Sequence, residues 1–205
     1  MWLGVLLWAA ASAAAFQLIL LPYIFTSWHA GDGLLVGGDW LGYHRMAVEL
    51  AHDLRERGWD AWQLRPHGHA VVGIAAVVYA LTVPEPWTLI PLNAALHASA
   101  ALVVFRLLGI FVTDRRAAVA GVVPFALYPS AMTWYAQILK DGYAVLGYVL
   151  FLYGWALLLA PSTWEAGPGR RLRAMLAIAA GAGLNWVVRP HIVTLLAIAA
   201  ARSGL

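Results

Sequence analysis

The chain has 205 residues, 62% of them hydrophobic and only 11% charged, with a formal net charge of +3 and mean hydropathy of +0.74. No ordinary water-soluble domain keeps that composition on its exposed surface, so bilayer hydrocarbon is the solvent that fits. Cysteine is absent, which excludes disulfides and thiolate metal sites. The basic excess comes from arginines at the ends of apolar segments, a pattern of membrane orientation that gives no support to a nucleic-acid role.

The first predicted element runs from Met1 to Phe25 without a charge, longer than the roughly 20 residues needed to cross the hydrocarbon core. It begins Met1-Trp2-Leu3 and ends among Tyr23, Phe25 and Trp28, so it reads as an anchor with an aromatic belt and not as a cleavable leader. A polar region from Ser27 to His69 follows and holds most of the acids and histidines. Within it, Asp39 is expected to cap a helix over Trp40 to Arg57, where Tyr43, Met46, Ala47, Leu50, Ala51 and Leu54 recur at helical spacing. Arg45 with Glu49 and Asp53 with Arg57 stand four apart on the other face, which makes the helix amphipathic and places it at the water boundary.

Ala70 to Val83 is apolar but short, and is expected to form a second juxtamembrane helix before Pro84-Glu85-Pro86. Trp87 to Ile110, Ala117 to Leu139 and Gly142 to Leu159 are each long enough to cross, and Arg106 sits near enough to an end to snorkel. Ala174 to Val188 is a shorter candidate crossing. His191 to Ala201 is too brief to span comfortably, which raises the expectation that the chain is a truncated N-terminal module of a longer protein. The expected fold is all-α: one transmembrane domain over residues 1–205, a polytopic helical bundle with amphipathic helices in its first outer loop.

Orientation follows from arginine. With the N-terminus inside and Ala70 to Val83 not crossing, Arg115-Arg116 and the Arg170 to Arg173 cluster face the cytoplasm, and the Ser27 to His69 loop faces outward. If Ala70 to Val83 crosses and the N-terminus is outside, both clusters and that loop lie inside. The length of the segment favours the first arrangement.

Several polar residues at the expected boundary could carry chemistry. Asp39 serves as a helix cap in the plainest reading, yet the helix dipole also favours a negative charge there, and a carboxylate can accept a proton from a bound hydroxyl. Lys140 is the only lysine; beside Asp141 it is either a snorkelling anchor or a point charge suited to phosphate. Arg189, in Arg189-Pro190-His191, is either an interfacial anchor or a planar clamp for an anionic headgroup or phosphate. His67 and His69 are spaced to share a metal but lack a compelling third ligand, and His97 suits an interhelical hydrogen bond.

These residues resemble a family. Asp39 followed by Tyr43, His44 and Ala47, just after a first hydrophobic helix, resembles the first outer loop of the GT-C membrane glycosyltransferases. Pro129-Ser130, Trp134, Gln137 and Leu139-Lys140-Asp141 are similar to the second outer loop of the bacterial members related to protein mannosyltransferases and lipopolysaccharide sugar transferases, glycosyltransferase family 39-like. Tyr79 to Pro84, Leu92-Asn93 and the Arg115-Arg116 turn fall where such proteins place a juxtamembrane helix, the next crossing and an inner loop. Arg65-Pro66 replaces the lysine and proline pair of the aminoarabinose and mannose branches.

The resemblance implies transfer of a sugar from a polyprenyl-phosphate donor to an acceptor hydroxyl of unknown identity, with inversion, at the outer face of a bacterial inner membrane. It implies Asp39 as general base, Asp141 as a second acid, Lys140 or Arg189 as phosphate stabiliser, and Tyr43, His44 and Gln137 as further substrate-binding residues. A divalent ion is compatible because some relatives use one, although the sequence shows no ligand set that requires it. The alternative is a non-catalytic subunit or a lipid-carrier binding or transport module on the same scaffold. A transporter would place ionisable residues or broken helices near mid-membrane, whereas the acids here concentrate between the apolar segments.

Overall fold

The computed structural model describes residues 1–128, 133–160 and 168–191. It is mostly helical and divides into two compact units: Met1, Leu3–Ala98 and Leu127–Gly142 in the first, and Trp2, Ser99–Ala126 and Tyr143–Leu205 in the second. Three helices are long and apolar enough to cross a membrane, Trp2–Tyr23, Pro86–Phe111 and Asp141–Leu159, here α1, α4 and α6. Only 28% of the apolar window of α1 is buried. Leu3, Leu7, Trp8, Leu18 and Ile19 stand exposed, an outward apolar face that water would penalise and lipid would not. These spans indicate association with a membrane.

In the first unit, α1 passes through a π-helical stretch at Phe16–Leu20 just before Pro22. Proline has no N–H and its ring crowds the carbonyl four residues back. The widened turn absorbs this locally, with Leu21 N–H reaching back five residues to Phe16 O. The chain then forms a small antiparallel hairpin, β1 His29–Gly31 and β2 Leu34–Leu35. Its turn residues Asp32 and Gly33 have φ of 51° and 71°, and an Asp-Gly pair is suited to such a turn. The all-α expectation therefore omits one short hairpin, and Asp32-Gly33 was the signal for it.

Helix α2, Asp39–Arg57, buries Tyr43, Ala47, Ala51 and Leu54, four of the six positions expected on its inner face. It packs on α3, Ala70–Leu81, which is the expected short helix. Arg55 joins the two by donating to the carbonyls of Tyr79, Ala80 and Thr82 at 2.5, 3.1 and 2.8 Å. Those are carbonyls that the end of a helix leaves without partners, at its negative pole. The expected Asp53–Arg57 pair forms at 3.5 Å, whereas Arg45 and Glu49 form no ion pair among the described residues.

The expected single crossing over Ala117–Leu139 is corrected. Helix α5 spans Arg115–Leu127, only 13 residues with Pro124 inside. Tyr128 precedes a proline, which disfavours helical backbone. Residues 133–135 are helical, but the chain from Ala136 to Lys140 is not. Carbonyls there accept side-chain bonds instead: Gln17 Nε2 donates to Ala136 O at 2.7 Å, and Asn93 Nδ2 to Tyr135 O at 2.8 Å and Gln137 O at 3.3 Å. Pro129 and Ser130 lie outside the described residues, as does most of His191 to Ala201.

In the second unit, α7 is longer than expected, Pro168–Val188, and packs against α6 through small residues. A Cβ on Gly147 or Gly181 would collide with the facing helix's backbone or with Asn185, a close approach that membrane helices commonly use.

Candidate functional site

The site is built on the loop after α1. Gln137 is only 1% exposed. Its Nε2 donates to Gly33 O at 3.2 Å and its Oε1 accepts from Leu35 N–H at 3.1 Å, so it clamps the hairpin to the 133–140 segment. The turn meets α1 closely as well: a Cβ on Gly33 would overlap the Gln17 side chain. Ala13, Phe16, Leu21, Ile90 and Ala136 form the apolar floor beneath this arrangement. Beside them, Tyr135 O–H and His97 Nδ1 lie 2.7 Å apart, in keeping with the interhelical role expected of His97.

The hairpin in turn positions the start of α2. Trp40 Nε1 donates to Leu35 O at 2.5 Å, and its indole lies so close over Gly38 that a Cβ there would strike the ring. Gly38, in extended conformation, is the cap residue, and no side chain caps this end. The expectation of Asp39 as N-cap is thus corrected: Asp39 is the first residue of α2 itself. The Trp40 indole fills the space that a side chain at residue 38 would need, so the cap position is held by glycine and carries no capping side chain. The Asp39 carboxylate is left exposed in the first helical turn, at the positive pole of the helix.

An open cleft of about 410 Å³ lies at this point, walled by Gly38, Asp39, Tyr43, Arg45, Met46 and His69 among others. Tyr43 O–H is 3.5 Å from Asp39 Oδ2, and the Tyr43 ring tilts against His69 with centroids 4.9 Å apart. The cleft therefore holds a carboxylate, a guanidinium, a phenol and an imidazole on an apolar base. Neither Arg45 nor His69 was expected to share a cleft with Asp39. His69 arrives through the fold alone, from the turn before α3.

His44 points elsewhere. Its Nδ1 is 3.0 Å from Tyr79 O–H, and its Nε2 is 4.0 Å from the Asp32 carboxylate. Burial lowers its pKa, opposed by the negative charges of Asp32 and Glu85. It therefore favours the neutral form, tying the hairpin turn to α3. Gln137, expected at substrate, has both ends of its amide engaged by main chain. Lys140 and Asp141 are half-buried, and among the described residues neither lines the cleft. Asp141 opens α6 as Asp39 opens α2. Arg189 directly follows α7 in the second unit, its N–H donating to Asn185 O at 2.7 Å. His67 and His69 form no group of three or more candidate metal ligands among the described residues.

No family model, no curated protein and no solved structure matches this chain.

Proposed function

We propose that this chain is a membrane glycosyltransferase of the GT-C type, moving a sugar from a polyprenyl phosphate to an acceptor hydroxyl on the outer face of a bacterial inner membrane. The observation that carries the reading is the cleft at the start of α2, where the exposed Asp39 carboxylate and Arg45 share one opening, in a chain that carries three helices apolar and long enough to cross a membrane. A phosphate leaving group is a weak base and needs no proton, so the protein must supply chiefly a base for the acceptor and a cation for the departing charge.

In this reading the acceptor oxygen attacks the anomeric carbon and its proton passes to an Asp39 carboxylate oxygen. The bond from that carbon to the phosphate oxygen breaks on the opposite side, and polyprenyl phosphate leaves with the electron pair. Displacement from the far side inverts the anomeric carbon. Tyr43, close to Asp39 Oδ2, orients the base, and Arg45 stabilises the leaving phosphate. Lys140 and Asp141, in the same unit as the cleft but not in its wall, stay in the proposal as residues that meet the lipid-linked donor.

Asp39→Asn tests the assignment. Transfer from a polyprenyl-phosphate sugar should fall by at least about 100-fold, with insertion and yield unchanged. Undiminished turnover would remove Asp39 from the chemistry. A wild-type chain that binds the donor but transfers nothing would favour the non-catalytic carrier-binding reading.

A further inference from the structure

A second cleft, of about 500 Å³, lies wholly within the second unit. Its wall includes Arg106 from α4, Arg115 from the first position of α5 and Arg173 from the first turns of α7, with Tyr153 of α6 and Thr113 adding hydroxyls. Phe105, Val112 and Ala118 supply an apolar side.

No carboxylate lines this cleft among the described residues. Asp114, next in sequence to Arg115, accepts the N–H of Arg116 at 2.9 Å and forms no ion pair with an arginine among the described residues. Arg173 Nε donates to Gly169 O at 3.3 Å, which leaves its two terminal nitrogens for other partners. An orientation signal needs arginines only near the ends of spans. It does not need arginines from three separate helices to line one concavity that no carboxylate lines among the described residues. An anion in the cleft would balance their charge, and guanidinium forks match the oxygens of phosphate.

We propose that this cleft binds a phosphate group presented at the arginine-rich face of the membrane, with an anionic phospholipid headgroup as its source. Basic hollows between membrane helices are suited to such headgroups. The apolar side formed by Phe105, Val112 and Ala118 would meet the glycerol and the first carbons of the acyl chains, and the hydroxyls of Tyr153 and Thr113 would donate to the remaining phosphate oxygens. The proposal is independent of sugar transfer and of Asp39.

The test uses the full chain purified in a neutral maltoside detergent. Native mass spectrometry would compare dioleoylphosphatidylglycerol with dioleoylphosphatidylcholine, and thermal melting would be followed with either lipid or with inorganic phosphate alone. The expected result is saturable binding of phosphatidylglycerol roughly tenfold tighter than of phosphatidylcholine. The triple variant R106Q/R115Q/R173Q should lose that preference, while Arg57→Gln, at an exposed position of the other unit, should keep it. Arg173→Gln alone, at an exposed position, should weaken the preference by at least about threefold and guards against misfolding of the triple variant. Stabilisation by inorganic phosphate without a lipid preference would support the phosphate site and assign it to a soluble phosphate. Absence of both responses, or a lipid preference unchanged in the arginine variants, would overturn the proposal.

Discussion

Replacing Gln137 by Met separates a structural amide from a substrate ligand. The two side chains are similar in length and volume, so the change removes hydrogen bonds with little cavity. Two are lost, from Gln137 Nε2 to Gly33 O and from Leu35 N–H to Gln137 Oε1. Each is worth about 1 kcal/mol net, and more where the abandoned partner stays dry. Both partners here are part-buried, so the loss should be about 2 kcal/mol in total, or roughly 4–8 °C in melting temperature for a chain of this size. The damage should be local as well. The Leu35 amide loses its acceptor, so its hydrogen exchange should accelerate, and the Trp40 bond to Leu35 O should loosen with it. Melting in detergent and exchange mass spectrometry over residues 29–41 measure these effects. If the variant melts like the wild type and residue 35 exchanges unchanged, while donor binding is lost, Gln137 is a ligand and the clamp is refuted.

Arg45→Ala should depress use of the lipid-phosphate donor more than Lys140→Ala, because Arg45 lines the cleft with Asp39 and Lys140 does not; kcat/KM for the donor in each variant decides the order, and a larger defect at Lys140 would move the phosphate out of this cleft. His44 carries a pH dependence. Its folded pKa lies below the ordinary histidine value because of burial, so the unfolded chain binds the extra proton first, and stability declines as pH falls below about 6.5 toward the folded pKa. His44→Asn should flatten that slope in melting temperature between about pH 7 and pH 5, and a slope unchanged by the substitution would place its origin in another group.

Some of this was legible along the chain. Hydrophobic length alone located α1, α4 and α6, because a span needs only enough apolar residues to match the bilayer, and every backbone group is satisfied within the helix. The periodicity of Tyr43, Ala47, Ala51 and Leu54 likewise located the buried face of α2. Asp32-Gly33 carried a turn signal that an all-helical reading passed over. The Ala117–Leu139 reading failed for a different reason: apolar composition does not reveal that Gln17 and Asn93 will take the carbonyls of residues 135–137 out of helical use.

Sequence by itself determined the solvent of this protein, the positions of its spans and the concentration of its acids and histidines between them, since these depend on composition and on contacts within a few residues. The partners of each polar side chain were decided by tertiary structure. His44 meets Tyr79, Gln137 meets Gly33 and Leu35, and Tyr43 meets His69 only once elements distant in the chain have packed. A hydrogen bond is satisfied by whatever donor or acceptor the fold brings within about 3 Å, and no local pattern of residues encodes which one that will be.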